Sequence, residues 1–172
     1  MSFAYPWVEG PPWPDKELPR EQLEDHIQRL LAETNMCVLA TIGRNGPIAS
    51  PIEYYADGMD IYVLPDPGTP KLAAMQRDSR ISLAVHREYH GWHNAHGLQY
   101  FGQVEVIEPD APGWDHAMKV FRWHGWMSDL GMNTSAPFKR QVAKIVPERI
   151  LYTETWLWKQ GYGAKQVWQC EG

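Results

Sequence analysis

Apolar positions near the start of the chain change from a helical to a strand period. The apolar residues between Arg20 and Glu33 are Leu23, Ile27, Leu30 and Leu31. Their spacing places them on one face of a helix. The run Met36–Gly43 is instead rich in strand formers, and the turn-prone sequence Arg44-Asn45-Gly46 follows it. The pattern predicts an amphipathic helix followed by the first strand of a hairpin.

The same patterns predict five more strands and two more helical segments. The predicted strands lie at 47–58, 60–65, 80–85, 97–109 and 144–158, and the helical segments at 70–77 and 110–130. Trp114, Met118 and Phe121 have helical spacing in the last of these and are expected to be core residues. Short strands with tight turns between neighbours predict an antiparallel, barrel-like sheet with flanking helices.

The domain organisation follows from length and proline content. Residues 1–19 contain five prolines among aromatic residues, a composition that predicts an extended arm rather than a helix. Residues 20–172 contain no repeat and no long linker, and their length suits one compact domain. We expect an arm followed by a single domain.

Charge and cysteine content narrow the possible functions. The net charge of −5 makes nucleic acids and anionic membrane surfaces poor partners. Cys37 and Cys170 form no metal-binding or disulfide pattern, and no stretch of about 18 apolar residues occurs. We expect a cytoplasmic protein. Nine tryptophans are many for 172 residues, so some are expected at an interface or beside a planar ligand.

A longer pattern identifies a family resemblance. The segment LATIGRNGPIASPIEYYADGMDIYVLPDPGTPKLAAMQRDSRISLAV, followed by GLQYFGQVEVIE and IVPERILY, resembles the pyridoxamine 5′-phosphate oxidase-like family in order and spacing. The resemblance covers about residues 21–152. It implies a six-stranded antiparallel split barrel, a homodimer, and FMN at the subunit interface. The oxidases proper carry Arg-x-Val-Leu-Leu-Lys where this chain reads Ser50–Tyr55, so oxidation of pyridoxamine phosphate is not expected.

The family resemblance implies FMN-dependent oxidoreduction, with NAD(P)H as a reductant and a small organic acceptor. Two other readings stay open: a deazaflavin-dependent reductase, and a non-catalytic flavin- or haem-binding protein with a histidine as the iron ligand. No general acid or base is assigned. His93, His96 and Tyr54 are the candidates.

Thr69 and Lys71 are expected to hold the FMN phosphate. Thr69-Pro70-Lys71 has the form of a helix start, where free amides and the helix dipole favour an anion and the lysine adds a full charge. A capped surface helix with a solvated lysine explains the same residues, and the family resemblance favours the phosphate site.

Three more expectations concern the flavin ring and the histidines. Ser50, Pro51, Ile52 and Glu53 match family positions beside the ring, although a proline-guarded edge strand fits the same sequence. Trp158 and Lys165 lie where relatives bring their carboxyl-terminal part toward the flavin. His86, His90, His93 and His96 lie in a glycine-containing loop in which no carboxylate or cysteine is placed to complete a metal site, so none is expected.

Overall fold

The computed structural model describes residues 13–135 and 138–171. Its helices are α1 (Arg20–Glu33), α2 (Pro70–Arg77), α3 (Trp114–Val120) and α4 (Trp123–Asp129). Its strands are β1 (Met36–Gly43), β2 (Gly46–Asp57), β3 (Asp60–Val63), β4 (Arg80–His86), β5 (His96–Ile107), β6 (Val142–Glu154) and β7 (Lys165–Gln169). Short 3-10 helices occupy Trp92–Asn94 and Thr155–Gln160.

All seven strands form one antiparallel sheet, and six of them close into a barrel. The order is β3-β2-β1-β4-β5-β6-β7, and a further pairing of β3 with β6 closes the ring. The first part of β6 makes that closure, with Ile145 opposite Ile61, while its second part pairs with β7. The predicted six-stranded split barrel is confirmed, with β7 added at its edge.

The barrel core is built from one face of each strand and one face of α1. Tyr54, Tyr100 and Tyr152 are its largest fully buried side chains. The four apolar residues predicted for the helix face are all buried: Leu23, Ile27, Leu30 and Leu31. No helix among the described residues is long and apolar enough to span a bilayer.

The structure differs from the sequence predictions in the last third of the chain. The predicted helix over 110–130 is broken at Arg122, whose φ of 57° is left-handed and interrupts helical hydrogen bonding. The predicted strand over 144–158 ends at Glu154, where the backbone turns into a 3-10 helix. The tail after it, for which no strand was predicted, contains β7.

Residues at the predicted arm contact the other end of the chain. Residues 1–12 lie outside the described residues, and Trp13–Pro19 has no regular secondary structure. The Gly163 amide donates to the Lys16 carbonyl at 2.9 Å. The Leu18 amide donates to Gln166 Oε1, also at 2.9 Å. These bonds fasten the start of the described chain beside β7.

Candidate functional site

The first part of β2 has a strand on only one side. Its whole length from Gly46 to Glu53 pairs with β1, whereas β3 pairs with β2 only from Tyr54 onward. No other described strand covers 46–53. The outer backbone N–H and C=O groups of this stretch are therefore free of sheet hydrogen bonds and can serve a ligand or a second chain.

The predicted ring-binding residues lie on this open edge. Ser50 and Ile52 are half-buried, opposite Leu39 and Cys37 in the register. Pro51 is exposed, and its missing N–H suits an edge position. Glu53 accepts a hydrogen bond from the Tyr55 hydroxyl at 2.9 Å. That bond restrains the carboxylate at the closed end of the edge.

The start of α2 leaves backbone donors without helical partners. Thr69 is the N-cap residue, but its hydroxyl donates to the Asp66 carbonyl at 2.7 Å and makes no cap bond to the helix. The first helical bond is Ala73 N–H to the Thr69 carbonyl. The amides of Lys71 and Leu72 therefore have no intrahelical acceptor. The Thr69 hydroxyl, predicted to help hold a phosphate, gives its proton to the Asp66 carbonyl in this structure.

A groove of about 640 Å³ lies between α2 and the β1–β2 turn. The α2 side is formed by Pro70, Ala73, Gln76 and Arg77. The turn side is formed by Gly43, Arg44, Asn45, Gly46, Pro47 and Ile48. The groove thus joins the open edge of β2 to the helix start, and none of its lining residues is acidic.

Trp158 and Lys165 lie away from this edge. Around the closed ring, β3 and β6 lie between β2 and β7, the strand that begins with Lys165. Trp158 is on the 3-10 helix after β6, with its ring 5.3 Å from that of Trp13. The sheet order of a single chain does not bring these two residues beside the open edge of β2.

An exposed apolar face covers the outside of the β1–β2 hairpin. We define it by Val38, Ala40 and Ile42 of β1 with Pro51, Ala49 and Pro47, which lie opposite them on β2. Val38 is 42% exposed and Ile42 40%. Contiguous apolar surface of this kind is typical of a protein interface.

A second polar cluster, which the sequence did not predict, joins α1, β5 and β6. Glu154 Oε2 lies 2.9 Å from His26 Nδ1 and 2.7 Å from the Tyr152 hydroxyl. The same hydroxyl lies 2.7 Å from His96 Nε2. His26 and Glu154 are 128 positions apart, and no local motif links them. These residues come together only in the folded protein, where α1 packs against the barrel.

Burial changes the proton affinity of this cluster. Burial is the main cause that lowers the pKa of His96. The negative charge of Glu154 acts in the opposite direction and raises it. Arg87 and His26 lower it further. Burial and the bond to Glu154 raise the pKa of Tyr152. At neutral pH the imidazole of His96 and the phenol of Tyr152 are therefore both uncharged.

A cleft of about 500 Å³ lies beside His96, between the histidine loop and the end of β6. His90, His93 and Glu154 also line it. The loop contains only the one-turn 3-10 helix Trp92–Asn94, as expected for a loop rather than a helix. Within the described ranges, no three metal-ligating side chains are grouped to hold an ion.

Tyr54 does not suit the acid–base role considered for it. Its side chain is fully buried, and burial raises its pKa to about 12. The hydroxyl lies 2.6 Å from Thr34 Oγ1 and donates to the Leu31 carbonyl at 3.2 Å. Tyr54 therefore anchors α1 to β2 as a core residue.

A comparison of the sequence with models of known protein families identifies a family that is consistent with the observed fold. The family model for pyridoxamine 5′-phosphate oxidase matches residues 23–154. No curated protein sequence matches the chain significantly.

Solved structures with the same fold include proteins of different named roles. A provisionally named pyridoxamine 5′-phosphate oxidase from Listeria innocua is 22% identical, with a TM-score of 0.61, and the match covers 76% of this chain and 97% of that one. A FAD-binding protein from Mesorhizobium loti is 22% identical, with a TM-score of 0.56 and coverage of 77% and 90%. A haem-binding protein from Mycobacterium smegmatis is 17% identical, with a TM-score of 0.63 and coverage of 88% and 59%. At sequence identities this low, the structural matches establish a shared fold and do not extend to a shared role.

Proposed function

Because the chain belongs to the pyridoxamine 5′-phosphate oxidase family, we propose that it is a homodimeric flavin-dependent oxidoreductase that binds FMN at the open edge of β2. Pyridoxamine phosphate is not the proposed substrate, since the Arg-x-Val-Leu-Leu-Lys run of the oxidases proper is absent at 50–55. A cytoplasmic location is part of the proposal, because Cys37 and Cys170 are both unpaired thiols.

The observation that carries the proposal is the open edge of β2 beside the amino terminus of α2. A flavin ring presents donors and acceptors along its pyrimidine edge, and an unpaired strand backbone offers the complementary groups. The phosphate is an anion, and the free amides of Lys71 and Leu72 with the Lys71 ammonium supply donors and charge. The residues present therefore fit FMN.

The protein's part in the chemistry is binding and orientation. Bound FMN would supply hydride acceptance from NAD(P)H and electron transfer to a small organic acceptor. The carboxylate of Glu53, held by the Tyr55 hydroxyl, adds a fixed hydrogen-bond acceptor at one end of the site. Lys71 neutralises the phosphate. No described side chain is assigned as a general acid or base.

A second copy of the chain would complete the site. Strands β3 and β6 lie between β2 and β7 around the closed ring, so a partner chain would bring Trp158 and Lys165 to the flavin proposed at the open edge. The exposed apolar face on the β1–β2 hairpin, next to the open edge, is suited to bury itself against such a partner.

The test is to purify the protein with its native chromophore and record its visible spectrum. We expect the two absorption bands of an oxidised flavin, the mass of FMN after extraction, and bleaching by NAD(P)H. A protein that stays colourless after incubation with FMN contradicts the proposal.

Haem binding is the second candidate. The observation in its favour is the cleft lined by His90, His93 and His96, because imidazole is a common axial ligand of haem iron. A single sharp Soret band in the same spectrum supports this alternative. A bound deazaflavin is distinguished by its mass.

A further inference from the structure

The cleft beside His96 opens onto the polar cluster that the proposed function does not use. Its volume of about 500 Å³ is in the usual range for a small-molecule site. His96 and Glu154 line the cleft, and both are hydrogen-bonded to Tyr152 behind it. None of its lining residues belongs to β2 or α2, so the cleft shares no residue with the proposed flavin site.

One ring nitrogen of His96 is available to a ligand. The Tyr152 hydroxyl donates to Glu154 and therefore accepts from His96 Nε2, which leaves the imidazole lone pair on Nδ1. No described residue makes a hydrogen bond to Nδ1. The described side-chain atoms that are both buried and unpaired are Thr41 Oγ1 and Arg140 Nε, so Nδ1 is not buried. A ligand in the cleft can therefore donate to it.

The cluster behind His96 fixes this acceptor in one orientation. The Tyr152 side chain is buried and its proton is given to Glu154, so rotation of the His96 ring would leave the Tyr152 oxygen without its donor. Burial also lowers the pKa of His96, which keeps the imidazole uncharged at neutral pH. The cleft wall thus presents a neutral, oriented acceptor, and its complement is an N–H or O–H donor.

The charges of the cleft disfavour an ionised ligand. Arg87 lines it and forms an ion pair with Glu33 on α1, and the carboxylates of Glu88 and Glu154 line it as well. An anion would meet two carboxylates, and a cation would meet a guanidinium. Since removal of either kind of ion from water is also costly, an uncharged donor is favoured.

The apolar part of the wall suits a flat ring. Trp156 lines the cleft and is 49% exposed, and Ala95 lies in the same wall. The Lys159 ammonium lies 3.5 Å from the centre of the Trp156 ring, so a second cation would be repelled there. An uncharged aromatic ring can pack against the remaining indole surface.

From these observations we propose that the cleft is a second ligand site that binds a phenol, with the ring beside Trp156 and the hydroxyl donating to His96 Nδ1. A phenol combines the properties that the wall requires, because it has a flat ring, is uncharged at neutral pH and donates one strong hydrogen bond. The inference goes beyond the proposed flavin function and does not depend on a bound flavin.

Calorimetric titration of the full-length protein with 4-methylphenol and 4-methylanisole at neutral pH tests the proposal. The second probe carries a methyl group in place of the hydroxyl proton, so we expect the phenol to bind at least about fivefold more tightly. His96→Phe should abolish this preference while the affinity for 4-methylanisole, which reports an intact cleft, stays within about twofold. Tyr152→Phe, which no longer sets the His96 tautomer, should reduce the preference. His90→Phe is the matched control in the same cleft and should keep it.

Each of the following results would overturn the inference. Equal binding of the two probes by the wild type would show that the ligand donates no hydrogen bond, and no binding of either would show that the cleft is not a phenol site. Loss of the preference in His90→Phe would place the acceptor elsewhere. Tighter binding of 4-methylbenzoate or 4-methylbenzylamine would mean a charged ligand. A Soret band with added haem that His96→Phe abolishes would assign His96 to iron.

Discussion

Tyr152 donates its hydroxyl proton to the Glu154 carboxylate across 2.7 Å. A phenol has one proton and a carboxylate can only accept, so the same hydroxyl must accept from His96 Nε2 at 2.7 Å. The neutral imidazole of His96 therefore carries its hydrogen on Nε2 and keeps the Nδ1 lone pair. One hydrogen bond between residues two positions apart on β6 thus sets the tautomer of a histidine on β5.

Removal of this hydroxyl should destabilise the fold. Tyr152→Phe leaves Glu154 with one donor fewer and His96 Nε2–H without its acceptor, while the ring packing stays. We expect a loss of about 1–3 kcal/mol in the free energy of unfolding, measured by urea denaturation. Tyr89→Phe is the control, since Tyr89 is 62% exposed. Equal stability of the two variants would show that the cluster contributes nothing.

The lowered pKa of His96 makes stability fall in mild acid. The unfolded chain binds a proton at His96 near the ordinary pKa of 6.5, whereas the folded chain binds it only at lower pH, chiefly because of burial. Between these values the unfolded state holds more protons, so the contribution is complete above pH 6.5 and is lost as the pH falls below it.

His96→Gln isolates this effect. We expect the melting temperature of the wild type to drop more steeply than that of His96→Gln between pH 7.5 and 5.5, because glutamine does not titrate. His90→Gln is the matched control, at a histidine whose side chain is 64% exposed. Parallel curves for wild type and His96→Gln would contradict the burial argument.

The two thiols should differ in reactivity. Cys37 is buried in the barrel, and burial raises its pKa to about 12, so its thiolate is scarce at neutral pH. Cys170 is exposed. We expect an aromatic disulfide reagent to label one thiol per native chain and two after denaturation. The Cys170→Ser variant should show no fast labelling, and rapid reaction of this variant would mean that β1 opens readily.

The exposed apolar face supplies a test of the dimer. Val38→Glu places a carboxylate at one end of this face, and we expect light scattering to change from about twice 19.8 kDa to 19.8 kDa. Leu130→Glu, at an exposed residue after α4, should leave the dimer intact. FMN affinity should fall only in the first variant. A monomeric wild type that still binds FMN contradicts the shared site.

Local patterns predicted the barrel because its strands and turns have short-range signals. α1, β1 and α2 have the predicted bounds, since amphipathic spacing, strand formers and the Thr-Pro helix start each act within a few residues. The break at Arg122 and the strand β7 have no such local signal. β7 pairs with the second part of β6, and the side chains of Gln166 and Trp168 also bond to residues almost the whole chain away.

The candidate site divides in the same way. Motifs predict Ser50–Glu53 and Thr69–Lys71, and the structure places parts of β2 and α2 around one groove, whose lining includes only Pro70 of these residues. The cluster of His26, Tyr152, Glu154 and His96 could not be found from sequence, because its members come from three elements that meet only after folding. The hydrogen bond from the Thr69 hydroxyl to the Asp66 carbonyl likewise depends on the geometry of the loop, which the sequence does not reveal.

The position of the flavin phosphate is the central claim, and Lys71→Ala tests it most directly. FMN and riboflavin are titrated into the apoproteins of wild type, Lys71→Ala and the control Lys139→Ala, whose lysine pairs with Asp110 at the surface. Loss of a charge-assisted contact should weaken FMN binding to Lys71→Ala by about 1.5–3 kcal/mol, roughly ten- to two-hundredfold. Riboflavin, which lacks the phosphate, should bind all three proteins equally. If the FMN affinity of Lys71→Ala stays within about twofold of wild type, far short of that tenfold loss, the phosphate is not held at the start of α2.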